Sequence, residues 1–248
     1  MLWYKAWRES RVRFFIGAAI ITLMCLVYTL FQARLYPWVA HETPRVHSYI
    51  QYIHWTIFGG ATRGILQLSS LLLGLGGLQR DRKQNTLGFT LALPASRISL
   101  VASRAALGLI QVLALALIPS VIVTAASHVT GQQLPLGYAL RFIPLWAAGG
   151  IFTFAISFLS SVIFDSEYVS LAVAYVTYIF YLAGVRHPSL ARLHLHVADF
   201  MSGLFPHYLD RTTMLWTNTY ASAPIIGFLT AAFVLVLLSG FVTTKQDL

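Results

Sequence analysis

Six stretches of about 20 predominantly apolar residues, the length needed to cross a bilayer, divide the chain: 14–31, 56–78, 105–127, 142–164, 168–185 and 224–242. The third, fourth and sixth are the cleanest; the second carries Arg63 in its interior and the fifth is short and rich in tyrosine. Such runs predict α-helices, because a helix satisfies its own backbone polar groups where no water can. Ahead of them, residues 1–13 follow a helical repeat. Trp3, Trp7 and Phe14 fall on one side, with Lys5, Arg8 and Arg11 around the other. This pattern predicts either an amphipathic helix in the membrane interface or a plain basic anchor. The expected fold class is all-α and polytopic: an amphipathic segment over 1–13, then a single six-span membrane domain over 14–248.

The polar segments between these runs are unequal. The 79–104 connector, within LQRDRKQNTLGFTLALPASRISLVASR, holds Arg80, Arg82, Lys83, Arg97 and Arg104, five of the chain's 17 basic residues. Its apolar centre ends at Pro94, and Ser96 is placed to cap the helix that follows. A short helix held against the membrane by that centre could dock on a partner; an ordinary basic loop would have the same composition. The turn between the fourth and fifth runs is only Asp165, Ser166 and Glu167. On the opposite side, 33–55 is long and aromatic, 129–141 is short and turn-like, and 186–223 alternates apolar and polar residues. The last pattern fits one or two short helices dipping into the outer interface.

Charge sets the orientation. Apolar residues make up 57% of the chain and charged residues 10%, against about 25% charged in soluble domains. With six spans, ten of the 17 Lys and Arg lie on the side of the termini within a short length of chain, and seven are spread over the other side. The positive-inside bias therefore places both termini in the cytoplasm of a multi-pass protein of the cell inner (plasma) membrane. The net charge of +9 is then met by anionic lipid, and no basic–aromatic interleaving of a nucleic-acid reader is present. The 14–31 run reads as a span rather than a cleaved signal. Cys25, the single cysteine, lies within it and cannot form an intrachain disulfide.

Several polar positions inside the runs are candidates for chemistry. Gly59, Arg63, Gln67, Ser70, Gly74 and Gly77 share one helical face. In the fourth run Gly149, Thr153, Ser157 and Ser160 do the same, and in the fifth Tyr168, Tyr175 and Tyr178 line up with Tyr181 nearby. Small and hydroxyl residues usually mark helix packing. Arg63 is different, since an intramembrane charge normally faces a cavity or a partner, unless it snorkels to the outer interface. The eight histidines lie at or beyond the outer boundary, with His194 and His196 the tightest pair. They leave open an external metal-dependent enzyme, but no carboxylate or thiol set completes a metal site. No nucleophile motif supports hydrolysis. No GxxxxGK[ST] phosphate loop occurs, so nucleotide hydrolysis would fall to another polypeptide.

The 79–104 block, the basic N-terminal helix, the six runs and the long apolar external segment together resemble the ABC-2 type permease family, the membrane subunits of type V ABC exporters. The likeness spans nearly the whole chain, and RDRKQNTLGFTLALPASR is its most motif-like part. The chain departs from the family where glutamates commonly precede a Gly-Thr pair, since only Asp81 is acidic there. The resemblance implies that 79–104 is a cytoplasmic coupling region docking on the ATPase subunit through Arg80, Asp81, Arg82, Lys83, Gln84, Asn85, Thr86, Pro94, Ser96 and Arg97. Asp165, Ser166 and Glu167 would be a second contact, 1–13 the connecting helix and 186–223 the external re-entrant region. It also implies a second permease copy or a similar permease, ATP and Mg held by the ATPase, and export of a drug-like, lipidic or other amphipathic substrate. The path would be lined by the second and fifth spans, making Arg63, Gln67, Ser70, Tyr175 and Tyr178 its candidate residues. A scaffold or sensor without transport is the other reading of such a chain.

Overall fold

No proline interrupts residues 2–30, and the apolar run beginning at Phe14 follows the basic segment without a break in helical character. In the computed structural model α1 accordingly runs unbroken over Leu2–Leu30. The amphipathic segment over 1–13 and the first run are thus one helix. At 1.5 Å per residue it is about 43 Å long, longer than the roughly 30 Å hydrocarbon layer, which leaves room for the basic end to project. The structure describes residues 2–43, 46–75, 97–164, 166–185, 187, 196–204, 208–210, 212–217 and 222–245.

The described residues are almost wholly helical, with one isolated antiparallel bridge between Leu209 and Trp216. After α1 come α2 (Gln32–Glu42), α3 (Tyr49–Ile53), a π-turn (His54–Phe58) and α4 (Ala61–Gly74). Then follow α5 (Arg97–Val129), α6 (Leu136–Leu140), α7 (Phe142–Ile163), α8 (Glu167–Val185), α9 (Val197–Met201) and α10 (Ala223–Lys245). Among the described residues, five helical segments are long and apolar enough to cross a membrane: Leu2–Leu30, Ile98–Val129, Leu136–Ile163, Glu167–Val185 and Ala223–Lys245. Five of the six predicted runs thus lie on long apolar helices. The second does not form one straight helix. Its first residues belong to the π-turn, Gly59 and Gly60 break the ladder, and α4 is only 14 residues long.

The centre of the bundle is α7. The apolar window that includes it is 78% buried, against 17% for α10 and 22% for α1 and α8. It packs against α4, α5, α8, α9 and α10, so the outer faces of its neighbours are left for lipid or for another chain. Lipid tails are as apolar as leucine, so packing and buried hydrogen bonds hold such helices together. The α4–α7 crossing uses both. A Cβ on Gly74 would stand 2.7 Å from the Phe154 carbonyl oxygen, and the Ser157 hydroxyl donates to the Leu71 carbonyl at 2.6 Å. Gly74 and Ser157, two members of the predicted polar stripes, therefore serve helix packing.

Contacts fix which ends lie together. The Glu9–Arg104 pair joins the start of α1 to the start of α5. At the opposite end, the Tyr52 hydroxyl donates to Tyr28 O and the Tyr49 hydroxyl bonds Ser127, bringing α3 against the ends of α1 and α5. Between these ends runs α4, whose last turn reaches Arg13 and whose first turn reaches α9.

Candidate functional site

Two polar clusters sit at the two ends of α4. The first is built on α1. Glu9 and Arg13 lie one helical turn apart and so share a face. Arg13 donates to the carbonyls of Leu72 and Leu75 at the end of α4 and pairs with Glu167 at the start of α8. A cation at a helix C-terminus meets carbonyls that have no intrahelical partner, so Arg13 does for α4 what a C-cap would. Arg104 donates to Glu9 at 2.7 Å, and the Gln111 amide donates to Ser10 Oγ at 2.8 Å. Glu9, Ser10, Arg13, Arg104, Gln111 and Phe158 line a cavity of about 30 Å³. That is room for a water molecule, which the buried, unpartnered Gln111 Oε1 could engage.

Of the predicted docking residues, Arg97, Ser166 and Glu167 are described. The Ser166 carbonyl accepts from the amide and hydroxyl of Ser170, starting α8, and Glu167 takes the Arg13 pair. Arg97 opens α5. Arg80, Asp81, Arg82, Lys83, Gln84, Asn85, Thr86, Pro94, Ser96 and Asp165 lie outside the described residues, as does much of 186–223. Glu9, Ser10, Arg13, Arg104 and Gln111 were not foreseen as a unit. The available signal was Glu9, the one acid in a basic helix, at a spacing that puts it on the Arg13 face.

The second cluster surrounds Arg63. Its guanidinium donates to the Ala198 carbonyl at 2.6 Å, which ties α4 to the short α9. Gln67, one turn on, donates to Met201 Sδ at 3.3 Å. Trp146 of α7 donates to Met201 O at 3.1 Å. Tyr178 of α8 lies within electrostatic reach of Arg63 and beside Gln67. Asp199, within reach of the same guanidinium, is half exposed and contacts His196 at 3.2 Å. The structure thus brings Arg63, Gln67 and Tyr178 together. Ser70 and Tyr175 are elsewhere: Ser70 donates to Leu66 O inside the α4–α7 packing, and Tyr175 is exposed on α8. His54 and Thr62 are the members missed by sequence reasoning. Both are fully buried, and among the described residues neither ring nitrogen of His54 nor the Thr62 hydroxyl has a partner.

The described residues 208–210 and 212–217 fold on local polar contacts. Asp210 accepts from the Thr212 amide at 2.9 Å and hydroxyl at 2.7 Å, and these bonds hold its carboxyl below the usual carboxylate range. Among the described residues, no three His, Cys, Asp or Glu gather closely enough to hold a metal ion. No protein-family model matches this chain, and no curated protein or solved structure matches it either.

Proposed function

We propose that this chain is the permease subunit of an ATP-driven exporter of the ABC-2 type, working with a separate ATPase subunit. The observation that carries the reading is the Arg13 cluster. Both segments expected to meet the ATPase adjoin it: the 79–104 connector leads directly into α5, which bears Arg104, and the 165–167 turn ends at Glu167. A force applied at either segment would reach α1 and the end of α4 through the Glu9–Arg104 and Arg13–Glu167 pairs. The α4 helix would carry it to the Arg63 cluster, where the cargo path is expected. In this reading α3, the π-turn and α4 together make a sixth, broken crossing, which puts the Arg13 end in the cytoplasm. The broad apolar faces of α8 and α10 would meet lipid and a second permease copy. ATP and Mg would be held by the ATPase, and nucleotide binding there would favour one arrangement of the helices over another.

The test is to recover the tagged chain from its own membranes and measure ATP hydrolysis in the purified material. The expected result is hydrolysis that travels with the chain and is lost from it when Arg82 and Lys83 are both changed to Glu, with thermal unfolding of the chain unchanged. Recovery without hydrolysis, or a charge reversal that leaves the hydrolysis attached and unaltered, would favour a scaffold or sensor.

A further inference from the structure

The break before α4 exposes a helix N-terminus at the Arg63 end of the bundle. Gly60 is the N-cap and no side chain caps this end, so the first amides of the helix lack the partners a helix interior provides. The break is enforced: a Cβ on Gly60 would lie 2.4 Å from the Trp55 carbonyl oxygen. Around it stand buried side-chain atoms that find no hydrogen-bond partner among the described residues. His54 is fully buried, and its Nε2 lies 3.2 Å from where a Cβ of Gly59, the residue before the cap, would be. Among the described residues, both its ring nitrogens, Thr62 Oγ1 and Arg63 Nε have no hydrogen-bond partner. A buried polar atom left unpaired costs about 1–3 kcal/mol, and several beside one helix terminus mark a place where a missing group belongs.

What that group is follows from charge. The helix dipole places partial positive charge at the first turn of α4, and Arg63 in its third position adds a full one. Asp199 offsets part of this charge, but its carboxylate is half exposed and contacts His196. The demand is for an oxyanion. Access comes from the side: Ala61 and Gly64 are exposed, and a Cβ on Gly64 would meet nothing within 4 Å. Broken helices near a bilayer's interior present such termini to anionic substrate groups.

We propose that the first turn of α4, with Arg63, Thr62 and His54, holds the carboxylate or phosphate headgroup of an amphiphile reaching it laterally from the bilayer. The assignment rests on the transport reading for its role as a cargo site. Binding itself needs neither ATP nor an ATPase, so the two fail separately.

The test uses the purified full chain in dodecyl maltoside micelles, which carry neither phosphate nor carboxylate, without nucleotide, titrated with dodecyl phosphate, dodecanol and inorganic phosphate. Thermal stability and tryptophan emission report binding, the share of Trp55, whose ring stands 6.2 Å from that of His54, being taken by difference from a Trp55→Phe chain. Dodecyl phosphate is expected to bind and dodecanol not to. Arg63→Gln should bind about tenfold more weakly, as expected for loss of one charge-assisted contact. Because Arg63 also holds α9, Thr62→Val and Arg63→Lys are the companion variants: the first should weaken binding and the second should retain most of it. Equal response to dodecanol, or unchanged affinity in both Arg63→Gln and Thr62→Val, would overturn the site. Inorganic phosphate binding as tightly as dodecyl phosphate would overturn the amphiphile.

Discussion

Replacing Arg13 by alanine separates two kinds of contact that meet on one side chain. Its bonds to the Leu72 and Leu75 carbonyls lie at a helix end packed into the bundle. Hydrogen bonds from a charged donor contribute about 1.5–3 kcal/mol each. The pair with Glu167 is different, because the Glu167 side chain is 41% exposed, and exposed pairs are worth about 0.2–1 kcal/mol. Arg13→Ala should therefore cost about 3–5 kcal/mol, allowing for some rehydration of the carbonyls from the adjoining cavity. Glu167→Gln should cost no more than about 1 kcal/mol. The assay is thermal unfolding of the detergent-purified chain at one fixed scan rate, since membrane proteins seldom unfold reversibly and the midpoint then depends on rate. The double variant isolates the pair energy from the carbonyl bonds. Equal shifts for the two single variants would refute the account, because Arg13 would then act only through Glu167.

Glycine substitutions should split by site. Gly74→Ala must push against the Phe154 carbonyl and should destabilise by about 1–3 kcal/mol. Gly227→Ala, where an added Cβ meets nothing within 4 Å, should be neutral or stabilise by up to about 1 kcal/mol; unfolding midpoints compare them. The Asp210 turn should loosen in acid. Its carboxyl is held below the ordinary value of 3.8, so its contribution is complete above that pH and is lost as pH falls through the lower folded value. Amide exchange at Thr212 measures this, and protection that persists after Asp210→Ala would contradict it. Gln67→Ala should leave α4 folded but loosen the Met201 side chain, with Trp146 still holding its carbonyl, and so raise exchange modestly across Val197–Met201, while the same change at Ser70 should not.

How legible these features were depended on what encodes them. Runs of apolar residues long enough to span a membrane give away their helices, which is why 142–164 and Phe142–Ile163 nearly coincide. The boundary expected near residue 13 had no such basis. A change from basic to apolar surface alters what a helix touches without altering its backbone, so α1 continues through it. The second run shows the reverse. Its composition stays apolar through Ile57 and Phe58, while the ladder shifts to a π-turn and stops at Gly60, whose backbone approaches the Trp55 and Thr56 carbonyls. Hydropathy does not register such a break, although the Gly59–Gly60 pair was visible. Arg63 and Gln67 were legible together because an intramembrane charge and a one-turn spacing are sequence properties, whereas Tyr178 was joined to them only through the family resemblance. Ser70 and Tyr175 shared that spacing but met different surroundings: Ser70 packs against α7, and Tyr175 lies exposed on α8. His54 was legible only as one of eight external histidines, since its burial depends on α7 and the π-turn.

The most direct measurement of the central claim asks whether nucleotide moves the Arg13 cluster. Cys25 is the only cysteine, so a Cys25→Ala background makes paired cysteines simple to introduce at Arg13 and Glu167. Oxidative cross-linking of that pair is followed in membranes from the native host, with and without ATP and vanadate. A Leu71–Ser157 pair across the α4–α7 packing serves as the static control. The account predicts that nucleotide changes the Arg13–Glu167 yield and leaves the control unchanged. The same yield in both conditions would contradict the claim that ATP hydrolysis elsewhere drives this chain.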